Sequence, residues 1–460
     1  VKLTVSDETG VARIREAVCS GVPFAQAAVQ TDQPMHVRGP EGAIPTQTRV
    51  LGTWPDGSVK WLLVQFLADC PANTDCVYDL GPGDAPLPKP KLRIEEQPDA
   101  IVVDTGPLRA EMPKNSLALF RSVHIRGATE SVQILEDVLP MRFALSDGSV
   151  HTSSGVEPQI VELEETGPIR ATIRQVGWLQ DAAGNRSYKV DTRLRFYAGQ
   201  AYVKAEQTFI CLGQPELHQI SEIAVDFTPD LGAEQQFMLP ADAGTIEGEL
   251  ANGHSAILAA DADMVGKSGP LSAPREARNK LDGWAVLRGD RGAFGVAIRD
   301  FWHLAPKSIE LAAGKVKLAL WSGHNGDLLK LGRTRAKTHH ILYAFGGTDD
   351  TIAERVAAFQ QPLIATVEPE YFCRTEVFGP LSPAGEPETV DYDRKMRSQF
   401  ETLRDQRETM PRENGMLHYG DYYHGGYGNE LTRGDLEYDT GHGCFLLYAR
   451  SGQRDYYDFA

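Results

Sequence analysis

The chain lacks a run of about 18 uncharged apolar residues, so no membrane-spanning helix is expected. It also lacks an excess of basic residues. Lys and Arg number 46 against 63 Asp and Glu, a formal charge of −17. A protein that coats nucleic acid carries the opposite balance, and so does one that binds a membrane surface electrostatically. Neither nucleic acid nor membrane is therefore an expected partner. No signal-peptide pattern follows the first residue, Val1. Six cysteines are present, none in a Cys-x-x-Cys pair, which argues against a structural zinc site. No Walker A motif, no Gly-x-Ser-x-Gly elbow and no Gly-x-Gly-x-x-Gly after a strand occurs. Nucleotide, α/β-hydrolase and dinucleotide chemistries lose their usual signatures.

What is present points to β-structure. The 44 glycines and 28 prolines exceed the usual share and imply many turns. At 460 residues the chain has room for two to four domains. Strands are expected at 49–54 and 59–66, joined by the turn Pro55-Asp-Gly-Ser58. The Gly- and Pro-rich stretch 81–90 is a linker, because each proline removes a backbone donor. Further strands are read at 167–178, 189–197 and 202–210, with a hairpin turn at Ala182-Ala-Gly-Asn185. Strands containing 294–299, 316–321 and 339–345 extend an antiparallel sandwich with one polar face. After about residue 385 the periodicity becomes helical: 391–410, 436–450 and a third helix from Asp455. That last pattern is still running at Ala460, so the chain is expected to be a piece of something longer. The fold class is multidomain, mainly β followed by α, over 1–90, 91–380 and 381–460.

Cys70 and Cys76 flank the turn-rich loop Pro-Ala-Asn-Thr-Asp. A disulfide closing a hairpin there and two unbridged thiols at strand ends are equally good readings. Trp54, Trp61, Trp302 and Trp321 could stack on sugar rings, but burial in a β-core accounts for each. Lys60 is expected to point outward from its sheet, and His339-His340 to be structural.

Residues 417–442 stand apart. Five of these 26 residues are Tyr, against about one from the overall composition. Three are His and five are Asp or Glu, interleaved with glycines that let backbone approach a ligand. A long irregular stretch between two helices points to function. His418 and His424 with Asp421 between them could hold a metal, but no His-Glu-x-x-His spacing is present. Calcium remains an option because carboxylates and carbonyls are plentiful, although no EF-hand-like loop occurs. No metal ligand is assigned, and no cofactor is certain.

Val22-Pro-Phe, Gln47-Thr-Arg-Val-Leu and above all Trp54-Pro-Asp-Gly-Ser-Val-Lys-Trp-Leu-Leu-Val resemble the N-terminal barrel of exo-rhamnogalacturonan lyase-like (PcRGLX-like) polysaccharide lyases. Asp300-Phe-Trp-His-Leu-Ala-Pro-Lys-Ser resembles part of their central β-sandwich. Gly420-Asp-Tyr-Tyr and Glu437-Tyr-Asp-Thr-Gly-His442-Gly resemble the opening of their C-terminal α/α toroid, here truncated. The resemblance implies a β-barrel over 1–90, a sandwich over 91–380 and the start of a toroid over 381–460. It also implies exo-acting β-elimination on a uronate-containing glycan, of rhamnogalacturonan or pectic type. A secreted or periplasmic location follows from such a substrate, with the cytoplasm left open.

β-Elimination needs a neutralised uronate, a base for the C5 proton and an acid for the leaving O4. Within 417–442 the candidates are Tyr422 and Tyr423 as acid or base and His424 and His442 as base or carboxylate partner. Glu437 and Asp439 would orient the imidazoles. Arg433 could pair with the uronate bidentately, with Asp421, Tyr419, Tyr427 and Tyr438 as further substrate contacts. Two rivals remain open. Asp421, Glu430, Asp435, Glu437 and Asp439 hold enough carboxylates for glycoside hydrolysis, and a non-catalytic carbohydrate-binding protein would need only stacking aromatics.

Overall fold

The structure is a computed structural model. It describes residues 1–127, 131–212, 218–241, 244–250, 255–260, 280–324, 326, 328–347, 351–409, 415–417, 423–424, 432–433 and 439–460. Its contacts divide the chain into two units. The first comprises Val1–Leu87, Gln361–Asn414 and His418–Ala460, and the second Pro88–Gln360 with Gly415–Leu417. The boundary at Leu87 falls inside the proline-rich linker.

The β part of the first unit is barrel-like. A five-stranded sheet orders Ala365–Thr366, Lys2–Ser6, Asp75–Pro82, Met35–Gly39 and Gly42–Ile44. A three-stranded sheet places Val59–Cys70 between Arg13–Pro23 and Thr46–Thr53. Alternate residues Leu3, Val5, Val64, Phe66 and Leu80 fill the core between them. The turn at 55–58 forms because the Asp56 carboxylate accepts from the Ser58 N–H (3.0 Å) and hydroxyl (2.7 Å). Gly57 supplies the φ of +84° that the turn needs.

The strands on either side of residues 71–74 do not form a hairpin. Val59–Cys70 belongs to the three-stranded sheet and Asp75–Pro82 to the five-stranded one. All six cysteines are free, so of the two readings of Cys70 and Cys76 the structure has the unbridged one.

The second unit is an antiparallel sandwich. Its nine-stranded sheet begins with the hairpin series Ile160–Thr166, Arg170–Gln180, Arg186–Tyr197 and Tyr202–Cys211. It continues through Ala336–Gly346, Gly292–Ile298, Gly283–Gly289, Gln236–Pro240 and Thr245–Glu249. A seven-stranded sheet built around His218–Phe227 and Lys315–Trp321 and a five-stranded meander over 93–138 accompany it. The hairpin turn at 181–185 closes as the sequence predicts, with Asp181 Oδ1 accepting from the N–H groups of Ala183 (2.9 Å) and Asn185 (2.8 Å). One large apolar cluster, including Phe120, Phe143, Leu194, Phe227, Phe294 and Tyr343, forms the core.

Helix α1 (Thr351–Ala358) packs on this sheet at Gly295. A Cβ there would lie 2.8 Å from Ile352 and Val356, so glycine admits the helix. The first unit ends in helices α2 (Pro369–Arg374), α3 (Val390–Thr409), α4 (Thr440–Ser451) and α5 (Arg454–Phe459). α4 stops at Gly452, whose φ is +69°. The part of the expected second helix at 436–438 lies outside the described residues.

Candidate functional site

The residues singled out in 417–442 divide sharply. Tyr419, Asp421, Tyr422, Tyr427, Glu430, Asp435, Glu437 and Tyr438 lie outside the described residues, as does His418. Tyr423 and His424 form a short strand paired antiparallel with Thr432 and Arg433, with Tyr423 opposite Arg433 in register. Two of the predicted catalytic residues and the predicted uronate-binding arginine thus share one backbone pairing. Asp439 and His442 are fully described.

Asp439 is the N-cap of α4, at a φ of +45°. Its Oδ1 accepts from the backbone N–H of His442 at 3.4 Å, so it acts on His442 through the helix start and not through the ring. The His442 side chain is exposed on the first turn. Its ring stands edge-on to Phe378, with centroids 6.0 Å apart and planes at 85°. Phe378 is 37% exposed, a large apolar ring left in contact with solvent.

Phe378 is held from behind. Phe372 of α2 stacks on it at 5.8 Å and 13°, and Trp61 of the barrel packs against both at 5.7 and 5.9 Å. Trp54 joins the same cluster, its Nε1 donating to Phe24 O at 2.9 Å. Lys60 turns its ammonium over the Trp54 ring, 4.6 Å from the centroid. Trp54 and Trp61 are therefore only half-buried, unlike the buried Trp302 and Trp321. Glu376, two residues before Phe378, has a φ of +53°. Left-handed non-glycine residues thus flank both Phe378 and His442, the kind of stored strain that concentrates at functional sites. The result is a rigid aromatic platform with a histidine at its edge. Sequence reasoning missed Phe372 and Phe378 because they are lone aromatics some 300 residues from the tryptophans that support them.

The second unit holds another polar concentration that the sequence did not advertise. Gln175, Thr192, Gln207 and His339 occupy one register position across four neighbouring strands. All four are at most 1% exposed. Gln175 Nε2 donates to Ala118 O at 2.8 Å. Gln175 Oε1, Thr192 Oγ1, both amide atoms of Gln207 and both ring nitrogens of His339 find no hydrogen-bond partner among the described residues. His339 instead stacks on Phe209. Burial, followed by the nearby Lys307 and Lys337, holds His339 well below the ordinary histidine range. Lys307 itself is completely buried and donates to Leu320 O at 3.2 Å. Burial drives its ammonium far below the ordinary lysine range. The segment Asp300-Phe-Trp-His-Leu-Ala-Pro-Lys-Ser is thus a core element, burying Phe301, Trp302, Ala305 and Lys307. His340 is exposed on the other face, 3.8 Å from Glu206. Among the described residues no three His, Cys, Asp or Glu side chains converge as a metal site.

Residues 7–69 match the PcRGLX-like N-terminal RIFT barrel domain, and residues 92–237 match the PcRGLX-like central β-sandwich domain. Its two β-domains are PcRGLX-like. The half-buried Trp54 and Trp61 belong to the PcRGLX-like barrel, and the polar row at Gln175, Thr192 and Gln207 to the PcRGLX-like sandwich. The two matches support a carbohydrate-active protein. No curated protein matches it. Among solved structures, a protein of glycosyl hydrolase family 38 from Enterococcus faecalis aligns at a TM-score of 0.51 and 11% identity, over 79% of this chain and 47% of that one. An α-mannosidase from Enterococcus faecalis V583 aligns at 0.49 and 11%, over 79% and 45%. The chain spans less than half the length of either. The first of these likenesses concerns the fold alone.

Proposed function

We propose that the protein is a polysaccharide lyase that cleaves a uronate-containing glycan of rhamnogalacturonan or pectic type by β-elimination, acting from a chain end. The carrying observation is the exposed His442 ring held beside the aromatic platform of Phe378, Phe372 and Trp61. A pyranose presents an apolar face of C–H groups to an aromatic ring, and its hydroxyl and carboxylate edge is then offered to the polar side chains around it. The PcRGLX-like barrel and sandwich support a polysaccharide substrate.

In this reading Arg433 neutralises the uronate carboxylate, which makes the C5 proton more acidic. His442 or His424 takes that proton, or holds the carboxylate while Tyr422 or Tyr423 takes it. A tyrosine then protonates O4 as the C4–O4 bond breaks. Asp439 sets the His442 backbone, and Glu437 is assigned to orienting an imidazole. Asp421, Tyr419, Tyr427 and Tyr438 are further substrate contacts. Helices α3 to α5 are the opening of an α/α toroid, and a location outside the cytoplasm fits a polymer substrate.

The test is incubation with a panel of uronate polysaccharides, with and without chelator, following ultraviolet absorbance and reducing ends together. A lyase raises both, since elimination leaves an unsaturated uronate. Reducing ends without absorbance indicate a hydrolase, and glycan binding without either indicates a binding protein. Undiminished lyase activity in a His424→Ala, His442→Ala double variant would remove both histidines from the mechanism.

A further inference from the structure

The two thiols of the barrel converge although their strands belong to different sheets. Cys70 closes Val59–Cys70, and Cys76 lies in Asp75–Pro82, opposite Val5 in register. Cys70 Sγ donates toward Val5 O (3.5 Å) and Thr74 O (3.3 Å). The Thr74 hydroxyl lies 3.9 Å from Cys70 Sγ and 4.0 Å from Cys76 Sγ. Cys70 is 1% exposed, whereas Cys76 is half-buried and open to reagents. Such an arrangement has one entry thiol and one resolving thiol already beside it.

We propose that Cys70 and Cys76 are a redox-responsive pair that closes to an intramolecular disulfide when a small-molecule disulfide reaches Cys76. The Cys76 thiolate attacks the reagent, oxidised glutathione for example, forming a mixed disulfide and releasing one glutathione thiolate. Cys70 Sγ, as its thiolate, then attacks Cys76 Sγ and expels the second. Two protein thiols are oxidised, and one glutathione disulfide is reduced to two thiols that take up the two protons the cysteines give up. Closure clips the end of the three-stranded sheet to the five-stranded one, across a link of only five residues. Burial and the adjoining Cys76 thiol push Cys70 up to about 11, so the second step is slow at neutral pH and quickens as pH rises.

The experiment treats the protein with oxidised glutathione, alkylates the remaining thiols and maps the peptides by mass spectrometry. The expected result is a Cys70–Cys76 linked peptide, lost on adding dithiothreitol, with a higher thermal midpoint for the oxidised protein. Cys19, the other half-buried cysteine, serves as an internal reference that stops at the mixed disulfide. Cys76→Ser, at a half-buried position, should leave Cys70 as an alkylatable thiol. Cys70→Ser should leave Cys76 as a stable mixed disulfide. The proposal is overturned if wild-type Cys76 accumulates as the mixed disulfide while Cys70 stays free at alkaline pH, if neither cysteine reacts, or if Cys70 is glutathionylated in Cys76→Ser.

Discussion

Phe378 and Lys307 show how single residues break ordinary burial rules in opposite directions. Phe378 is a large apolar side chain kept at the surface, and Lys307 is a cation-forming one kept wholly inside. Each exception is expensive, and each makes a measurable claim. Replacing Phe378 by Ala should weaken glycan affinity roughly 2- to 10-fold, the equivalent of about 0.5–1.5 kcal/mol for one aromatic contact. Phe378→Tyr should keep most of it, and isothermal titration with a resistant oligosaccharide would decide. Among the described residues Lys307 makes one hydrogen bond, to a carbonyl, and has burial against it. Lys307→Met keeps the stem and removes the amine, and should raise the urea midpoint, by about 1–2 kcal/mol of stability. A drop would show that the amine is needed for packing.

Among the elements, the α3 and α4 pair depends on charge as well as on apolar contact. Arg450 of α4 is buried, donating to Asp393 of α3 at 2.6 Å and to Ser382 O at 2.8 Å. Asp393 also accepts from the Gly385 N–H and the Thr389 hydroxyl. Burial works to raise the Asp393 carboxyl, but these donors hold it below the usual carboxylate range. Arg450→Met should therefore cost about 3 kcal/mol, because it strands a carboxylate that the fold was built to pair. An Arg450→Met, Asp393→Leu double variant should recover part of that loss in a thermal melt. The start of α4 makes a finer claim. Asp439→Ala should cost about 1 kcal/mol, losing the cap and forcing alanine into the left-handed region. Asp439→Gly should cost only a few tenths, and equal losses would mean that the φ of +45° carries no strain.

For the molecule as a whole, the buried polar row predicts how stability depends on pH. Folded His339 is held neutral by burial, with Lys307, Lys337 and His340 adding to the same direction. Unfolded, it takes a proton as pH falls through about 6.5. Below that pH the unfolded state binds more protons than the folded one, so stability drops as pH falls from 7 to 5. The slope for one such group approaches about 1.4 kcal/mol per pH unit. Asp7, Asp393 and Glu206 are held low instead, and their contribution is lost only at more acidic pH. His339→Phe should flatten the dependence between pH 7 and 5 in urea unfolding, and an unchanged slope would refute the assignment to this residue.

Much of this architecture is local enough for sequence to decide alone. The period-2 alternation at 189–197, the Asp56 and Asp181 turns, the proline-rich linker and the apolar spacing of α3 each act over a few residues, and each recurs in the structure. The short helix α1 was not legible, because it owes its place to a glycine 56 residues earlier in the chain. Nor was the pairing of Trp61 with Phe372 and of Phe378 with His442, or the polar row, where each strand contributes one unremarkable residue. The Cys70 and Cys76 loop could be read as a hairpin because sequence cannot tell which sheet the next strand joins. Local hydrogen bonds and periodicity are written in neighbouring residues. Which distant side chains meet is decided by strand order and packing, and only the tertiary structure holds that information.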